Sequence, residues 1–148
     1  MSAQRSGSTL AQENCPPIGF MAITAEDDFF VVPSRLAKRE ALPHRPFVVG
    51  DCVRDWAIAT DDAVIYPYVQ DDNGVRGAPL PISPRLDQLL WRHRTGLKAR
   101  KMFGKTAEEH GKLWYEFLQF IGERVTARRL IAFAFVATHN HFVLDRGG

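Results

Sequence analysis

The fold is decided by the stretch from Ser83 to Val125, SPRLDQLLWRHRTGLKARKMFGKTAEEHGKLWYEFLQFIGERV. Ser83 suits a helix N-cap, because its hydroxyl accepts a hydrogen bond from a free backbone N–H. Pro84 suits the first helical position, where an N–H has no partner. Apolar residues and one histidine then recur at helical spacing, at Leu86, Leu89, Leu90, His93 and Leu97. The pattern predicts a first helix that begins after Ser83 and ends near Gly104.

A second helix is predicted directly after the first. The segment from Thr106 to Glu109 matches a capping box, in which the threonine caps the helix and Glu109 reaches back to the threonine. The apolar residues that follow at helical spacing are Trp114, Phe117, Leu118, Ile121 and Val125. The stretch therefore predicts two helices joined by a short turn.

Positive charge is concentrated on this stretch. From Arg85 to Lys112, eight Lys or Arg residues face three acidic ones, a net charge of +5, whereas the whole chain carries +2. A run of charge is usually a solvated helix face. The alternative is a surface that follows a phosphate backbone, because concentrated charge marks a nucleic-acid binder. The candidate phosphate-contacting residues are Arg92, Arg94, Lys98, Arg100, Lys101 and Lys105.

Length and composition limit the class of protein. A chain of 148 residues, 45% of them hydrophobic, makes one domain, or a piece of one, with a real core. The sequence contains no apolar run long enough to span a bilayer, and its polar N-terminus lacks the apolar segment of a secretory signal. Cys15 and Cys52 define neither a disulfide framework nor a zinc knuckle. We expect a cytoplasmic protein with no membrane partner.

The rest of the chain predicts an α+β fold. Residues 1–17 are polar and are expected to form a flexible lead-in, followed by one domain over 18–148. Strands are predicted at 18–24, 28–32, 57–58, 64–69 and 130–136, one or two helical turns at 34–41, a turn at 71–74 and a loop at 75–82. Strand 57–58 is expected to form a hairpin with 64–69. Together the strands near 18–32, 57–69 and 130–144 predict a mixed or antiparallel sheet on which the helical pair packs.

Motifs of enzymatic chemistry are missing from the sequence. It contains no Gly-x-Gly-x-x-Gly or Walker-type phosphate loop and no Gly-x-Ser-x-Gly elbow. His139-Asn140-His141 spells the name of a nuclease signature, but that signature is dispersed over a longer metal-binding unit, so we interpret the match as a coincidence. Two histidines without further ligands are more typical of polar rim residues than of a zinc site. We therefore predict no catalytic residue and no metal site.

The His139–His141 cluster has another interpretation. Asparagine can bond adenine through two hydrogen bonds, and histidine can donate to a base or stack on it. The alternative is a loop cluster whose polar groups satisfy one another, and the sequence leaves both open.

Several segments, taken in order, resemble a known family. They are Gly19–Thr24 with Asp28–Val32, Arg45–Trp56, Val64–Tyr68, Trp91-x-x-Arg94, Trp114–Glu116 and Ala137–Phe142. Their order is similar to the specificity region that follows the catalytic domain in adenine-specific (N6) DNA methyltransferases. The type concerned is the large single-chain, type IIG-like methylase of restriction–modification and phage-defence systems. The resemblance covers residues 18–148.

The resemblance implies DNA target recognition without methyl transfer. In the family, the catalytic domain binds S-adenosylmethionine and carries an Asn-Pro-Pro-Tyr type motif. Neither that motif nor a glycine-rich methyl-donor loop occurs here, so this chain is expected to hold no cofactor. Ala25 stands where the family often has glycine. The last strand ends in Asp145-Arg146-Gly147-Gly148, like the first arm of a hairpin, so we expect an incomplete target-recognition domain.

The charge and the resemblance lead to one expected interface. The basic side of the helical pair would bind the phosphates of double-stranded DNA and set the register. The loops around Arg54 and around His139, Asn140 and His141 would approach base edges. A separate methyltransferase catalytic subunit is the other expected partner.

Three other readings of the sequence remain. The first is a protein–protein docking module that uses an aromatic surface around Trp91, Trp114 and Tyr115. The second is an inactive remnant of a methyltransferase. The third is a small nuclease, for which the sequence offers no metal site.

Overall fold

The computed structural model describes residues 18–54, 56–139 and 141–146. Their fold class is α+β, as the sequence predicted, with short helices and antiparallel strand pairs. The strands form small separate sheets and not the one larger sheet expected. The predicted lead-in at 1–17 lies outside the described residues. Within those residues, each helix falls short of the length and apolarity that crossing a bilayer requires.

The secondary structure is made of short elements. The strands are β1 (Ala22–Ile23), β2 (Val31–Pro33), β3 (His44–Pro46), β4 (Val53–Arg54), β5 (Ala57–Ile58), β6 (Asp62–Ile65), β7 (Tyr68–Asp71), β8 (Gly74–Gly77), β9 (Lys101–Met102), β10 (Lys105–Thr106), β11 (Gln119–Phe120), β12 (Leu130–Phe133) and β13 (Phe142–Asp145). The helices are α1 (Ser34–Arg39), α2 (Pro84–Arg92), α3 (Arg94–Ala99) and α4 (Gly122–Val125), with 3-10 turns at Asp27–Phe29, Gly50–Cys52 and Glu108–His110.

The central sheet has the order β2-β6-β3, with Val64 of β6 opposite Val31 of β2 and Arg45 of β3. Its middle strand carries Ile65 into the core with no exposed surface. The predicted hairpin between 57–58 and 64–69 is wrong, because β5 pairs with β4 instead. Val53 of β4 is buried in this arrangement, and the burial of its side chain favours the pairing observed.

The predictions of a turn at 71–74 and of a loop at 75–82 have different outcomes. The turn at 71–74 is confirmed: it joins β7 to β8, and Gly74 takes a φ of +107°, which glycine adopts readily. The N–H of Asn73 donates to Asp71 Oδ1 at 2.9 Å, and Arg76 Nε to Asp71 Oδ2 at 2.9 Å. These bonds lower the pKa of Asp71. The predicted loop at 75–82 is wrong over its first residues, which form β8.

The core lies between the central sheet and α2–α3. Its members are Phe30, Leu42, Ile65, Tyr68, Leu86, Leu90, Leu97, Tyr115 and Phe117. Phe30 meets Phe117 edge to face, with the ring centroids 5.1 Å apart, and Tyr68 stacks on Phe120 at 4.1 Å. These aromatic pairs hold residues 117–120 against β7 and the residue before β2.

The first predicted helix begins as expected but is divided. Ser83 Oγ accepts from the N–H of Leu86 at 3.3 Å, and Pro84 occupies the first turn. His93 has φ −99° and ψ 7°, outside the helical range, and separates α2 from α3. The helix then ends at Ala99, before the predicted stop at Gly104.

The second predicted helix does not form. The capping box itself is present: Glu109 Oε2 accepts from the N–H of Thr106 at 2.7 Å, and the N–H of Glu109 donates to Thr106 Oγ1 at 3.3 Å. It begins a single 3-10 turn, which Gly111 ends with a φ of +75°. Within the predicted range, only the four residues of α4 are α-helical.

Side chains from other parts of the chain bond to backbone N–H and C=O groups that this helix would have needed for its own hydrogen bonds. The N–H of Phe117 donates to Tyr68 Oη at 2.8 Å. The carbonyls of Trp114 and Glu116 both accept from Arg100, at 3.0 and 2.9 Å. Because these groups are already bonded, residues 112–118 stay irregular although their apolar pattern is helical.

The last two strands pair with each other. β12 confirms the first half of the strand predicted at 130–136, and β13 lies antiparallel to it. β13 is thus the returning arm of β12, and the expectation that it also begins a further hairpin stays a prediction, since residues 147–148 lie outside the described residues. One face of this pair carries the apolar residues Ile131, Phe133, Phe142 and Leu144, all exposed.

We predict that Gly96→Ala destabilises the protein. A Cβ at Gly96 would lie 2.5 Å from Phe29 Cζ, and this close approach needs glycine. Overpacking costs about 1–3 kcal/mol, against about 1 kcal/mol that alanine gains as a helix former. Urea unfolding should therefore show a net loss of about 1 kcal/mol.

A second variant isolates the cause. In a Phe29→Leu background the clash is relieved, so Gly96→Ala should be neutral or stabilising. If Gly96→Ala costs the same in both backgrounds, contact with the Phe29 ring is not the reason for glycine at this position.

Candidate nucleic-acid interface

We define the basic segment as residues 85–112, which the structure distributes over α2, α3, the β9–β10 hairpin and the following 3-10 turn. α2 buries Leu86 and Leu90, and α3 buries Leu97. Burial of these apolar residues turns the remaining positions outward. Five of the six candidate phosphate-contacting residues are exposed or half-buried, and the sixth, Arg100, is not.

Arg92 lies on the exposed side of α2. Its side chain makes no hydrogen bond or ion pair with another described residue. Arg94, at the start of α3, places its guanidinium over the Trp91 ring, 4.9 Å from the centroid. Trp91 is 54% exposed and meets Trp114 edge to face at 5.8 Å. The stack holds the Arg94 charge at the surface without neutralising it.

Lys98 is partly neutralised. Its Nζ lies 3.0 Å from Glu108 Oε1, an ion pair that ties α3 to the 3-10 turn after the hairpin. The adjacent Glu109 accepts from the backbone and hydroxyl of Thr106, and these bonds lower the pKa of its carboxyl. Of the two acids nearest the hairpin, Glu108 is thus bonded to α3 and Glu109 to the base of β10.

Lys101 and Lys105 belong to the β9–β10 hairpin. Lys101 pairs with Thr106 and Lys105 with Met102, so the two lysines lie on opposite faces of the hairpin. Both are exposed, and neither forms an ion pair with a described residue. Their ammonium groups are available to phosphate oxygens.

Arg100 is the exception among the predicted residues. It is 4% exposed, and its guanidinium donates to four backbone carbonyls, those of Thr24, Leu97, Trp114 and Glu116, at 2.5–3.0 Å. Burial lowers its pKa to about 10, which leaves it charged at neutral pH. The placement of Arg100 on a basic outer face is therefore wrong, because its donors are occupied inside the protein.

The other predicted site residues lie on other elements. Arg54 is exposed at the end of β4 and pairs with Asp51 at 3.2 Å. His139 is exposed, with Nδ1 3.2 Å from Thr138 Oγ1, and His141 is half-buried, while Asn140 lies outside the described residues.

These loops are brought together by packing. β4 contacts β13, and the position a Cβ would occupy on Gly50 lies 3.5 Å from the Ala134 Cβ. The loop that carries Arg54 is thus adjacent to the hairpin that carries the histidines. Across the described residues, no three His, Cys, Asp or Glu side chains are close enough to hold a metal ion.

The aromatic surface of the docking alternative is smaller than predicted. Tyr115 is buried, and its hydroxyl donates to the carbonyl of Ala78 at 2.5 Å. Trp114 is half-buried, so Trp91 supplies most of the exposed area. A surface around Trp91, Trp114 and Tyr115 therefore offers one accessible ring rather than three.

Sequence reasoning missed Phe103. It stands at the tip of the β9–β10 hairpin and is 93% exposed. The sequence signal was the order Lys101-Met102-Phe103-Gly104-Lys105, in which the Phe-Gly pair lies between two lysines. Gly104 is equally consistent with a helix stop, and that signal hides the hairpin turn in the sequence.

Comparison with known proteins supplies an independent finding. No family model matches the chain. The chain is homologous to a segment of an adenine-specific methyltransferase. That relative is the adenine-specific methyltransferase PglX of Streptomyces coelicolor, to which this chain is 38% identical over 135 residues. The match covers 88% of this chain but 11% of PglX, so the chain spans a small part of that protein's length.

We predict that Arg100→Met lowers the free energy of unfolding by about 3 kcal/mol or more, because it strands four backbone carbonyls that have little access to water. Arg92→Met is the matched control, because it removes the same charge from an exposed position and should change stability by less than about 0.5 kcal/mol. Urea unfolding followed by circular dichroism measures both. Equal stabilities of the two variants would contradict the structural role of Arg100.

Proposed function

We propose that this chain recognises double-stranded DNA as part of an adenine-specific (N6) DNA methyltransferase of a restriction–modification or phage-defence system. The methyl transfer and the S-adenosylmethionine site would belong to a catalytic part, on the same or a separate polypeptide. The observation that carries the proposal is the exposed positive charge of Arg92, Arg94, Lys101 and Lys105 within the basic segment. The homology to a segment of PglX supports the class of enzyme.

Under this proposal the exposed cations contribute unequally to phosphate binding. Arg92, Lys101 and Lys105 have no ion pair among the described residues, so contact with phosphates costs no existing bond. Lys98 would first have to leave Glu108, which makes it a weaker contributor. Such contacts set the orientation of a protein on the duplex and do not read its sequence.

In this proposal the loops around Arg54 and around residues 139–141 read the bases. Arg54 carries a planar guanidinium that suits guanine, and Asn140 carries an amide that suits adenine. The ion pair between Arg54 and Asp51 is exposed and is therefore easily exchanged for a base contact. His139 and His141 would add further hydrogen bonds to base edges.

We predict that the chain binds a mixed-sequence DNA duplex with an affinity that falls steeply as salt rises. Each phosphate contact contributes a slope of about −0.9 to the plot of log affinity against log salt. Replacing both Lys101 and Lys105 by Gln should make the slope shallower by about 2. Fluorescence anisotropy at several salt concentrations measures it.

Lys38→Gln provides the control, because Lys38 is an exposed lysine of α1 outside the basic segment. It should leave the slope of the native chain unchanged. Affinity that is the same at low and physiological salt in a folded chain would rule out DNA recognition by this segment.

A second candidate function is docking onto the catalytic part of the methyltransferase. The outer face of the β12–β13 hairpin exposes Ile131 by 63% and Leu144 by 51%, next to Phe133 and Phe142. Two exposed apolar cross-strand pairs on a two-stranded sheet are characteristic of a covered interface. Because this chain matches 11% of PglX, the remainder of such an enzyme is the occupant that we propose.

We predict that the chain binds PglX from which the matching segment has been deleted, and that the pair Ile131→Lys and Leu144→Lys abolishes this binding. Two charges on the apolar face would have to be desolvated in the complex. Val69→Lys, at an exposed strand position of β7, is the control and should bind normally. Size-exclusion chromatography detects the complex, and binding by the double variant would place the interface elsewhere.

A further inference from the structure

The turn of the β9–β10 hairpin has an uncommon residue at its tip. Phe103 and Gly104 have φ angles of +51° and +80°, so both central residues of the turn are left-handed. This geometry favours Asn, Asp or Gly at the first position. A bulky aromatic residue there is an outlier, and such outliers concentrate at functional sites.

The Phe103 ring contributes nothing visible to the fold. It is 93% exposed, and it pairs with no other aromatic ring among the described residues. Its exposure and its backbone conformation are therefore both unfavourable in the isolated chain. A role in binding accounts for both, because a partner would cover the ring.

The surroundings of the ring indicate the chemistry of that partner. Lys101 and Lys105 flank the tip on opposite faces of the hairpin, as the strand register requires. The walls of a DNA groove are two phosphate backbones, and its floor is made of base edges. A hairpin tip with a cation on each face and an aromatic ring at its end matches that arrangement.

Contacts at the base of the β9–β10 hairpin also hold it in place. Lys98 holds Glu108 at 3.0 Å, and Thr106 and Glu109 bond to each other at the base of β10. His110 Nε2 lies 3.1 Å from the carbonyl oxygen of Met102 on β9. These contacts hold the hairpin against α3, so less backbone freedom is lost when the tip binds.

We infer that Phe103 stacks on DNA bases, entering the duplex between adjacent base pairs while Lys101 and Lys105 contact the two backbones. Apolar side chains inserted in this way unstack a base step, and base–aromatic stacking is tolerant of sequence. The inference rests on the proposed DNA recognition and adds to it the group that deforms the duplex.

The test compares variants of the folded chain on one mixed-sequence duplex. Phe103→Ala should weaken binding about thirtyfold, the middle of the range for a base–aromatic stack. Its salt slope should equal that of the native chain, because a neutral side chain releases no counterions. Phe103→Trp should retain the affinity, and Phe20→Ala, at an exposed phenylalanine outside the basic segment, should not change it.

A fluorescent adenine analogue placed in the duplex gives a second readout. Its emission rises when neighbouring bases unstack, so the native chain and Phe103→Trp should raise it and Phe103→Ala should not.

The outcomes separate the inference from the proposed function. Salt-dependent binding that survives intact in Phe103→Ala would overturn the stacking role and leave DNA recognition standing. Weakened binding with a shallower salt slope would also overturn it, because the ring would then be supporting the lysines. Absence of salt-dependent binding by the native chain would overturn the proposed function itself.

Discussion

The fold depends on one buried cation. Arg100 follows the last residue of α3. Its guanidinium donates to the carbonyls of Leu97, Thr24, Trp114 and Glu116. The same charged group lies over the Phe30 ring, 4.9 Å from its centroid. A buried charge is tolerated when every face of it meets a suitable partner, and here backbone oxygens supply them. The segment around Trp114 is held in an irregular turn by these bonds, and the chain after Arg100 continues into the β9–β10 hairpin.

Local signals in the sequence predicted those parts of the fold that are decided locally. The Ser83-Pro84 start, the Asp71–Gly74 turn and the strand that became β12 are set by caps, turn residues and β-branched residues close in sequence. The second helix failed because its backbone groups bond to Arg100 and Tyr68, which lie elsewhere in the chain. Apolar spacing carries no information about such long-range bonds, and so it was consistent with a helix that does not exist.

The sequence predicts the residues of the candidate interface about as well as it predicts the elements of the fold. Concentrated charge identified Arg92, Lys101 and Lys105 as surface cations, and the structure places them at the surface. The same count included Arg100, since composition does not distinguish an arginine that faces water from one that faces carbonyls. The sequence does not single out Phe103, because its significance comes from the turn that it forms with Gly104, which is a property of the hairpin and not of the residue type.

The bond between Arg100 and Thr24 spans 76 positions of the chain. β1 and β11 close a still longer loop, with Ile23 opposite Gln119. Closing such loops costs entropy before the contacts repay it, so folding of this topology should be slow. Interactions made after the folding barrier act mainly on the rate of unfolding. We expect the bonds of Arg100 to be of this kind, because they need the distant ends of these loops to be already in place, and so to affect the rate of unfolding more than the rate of folding.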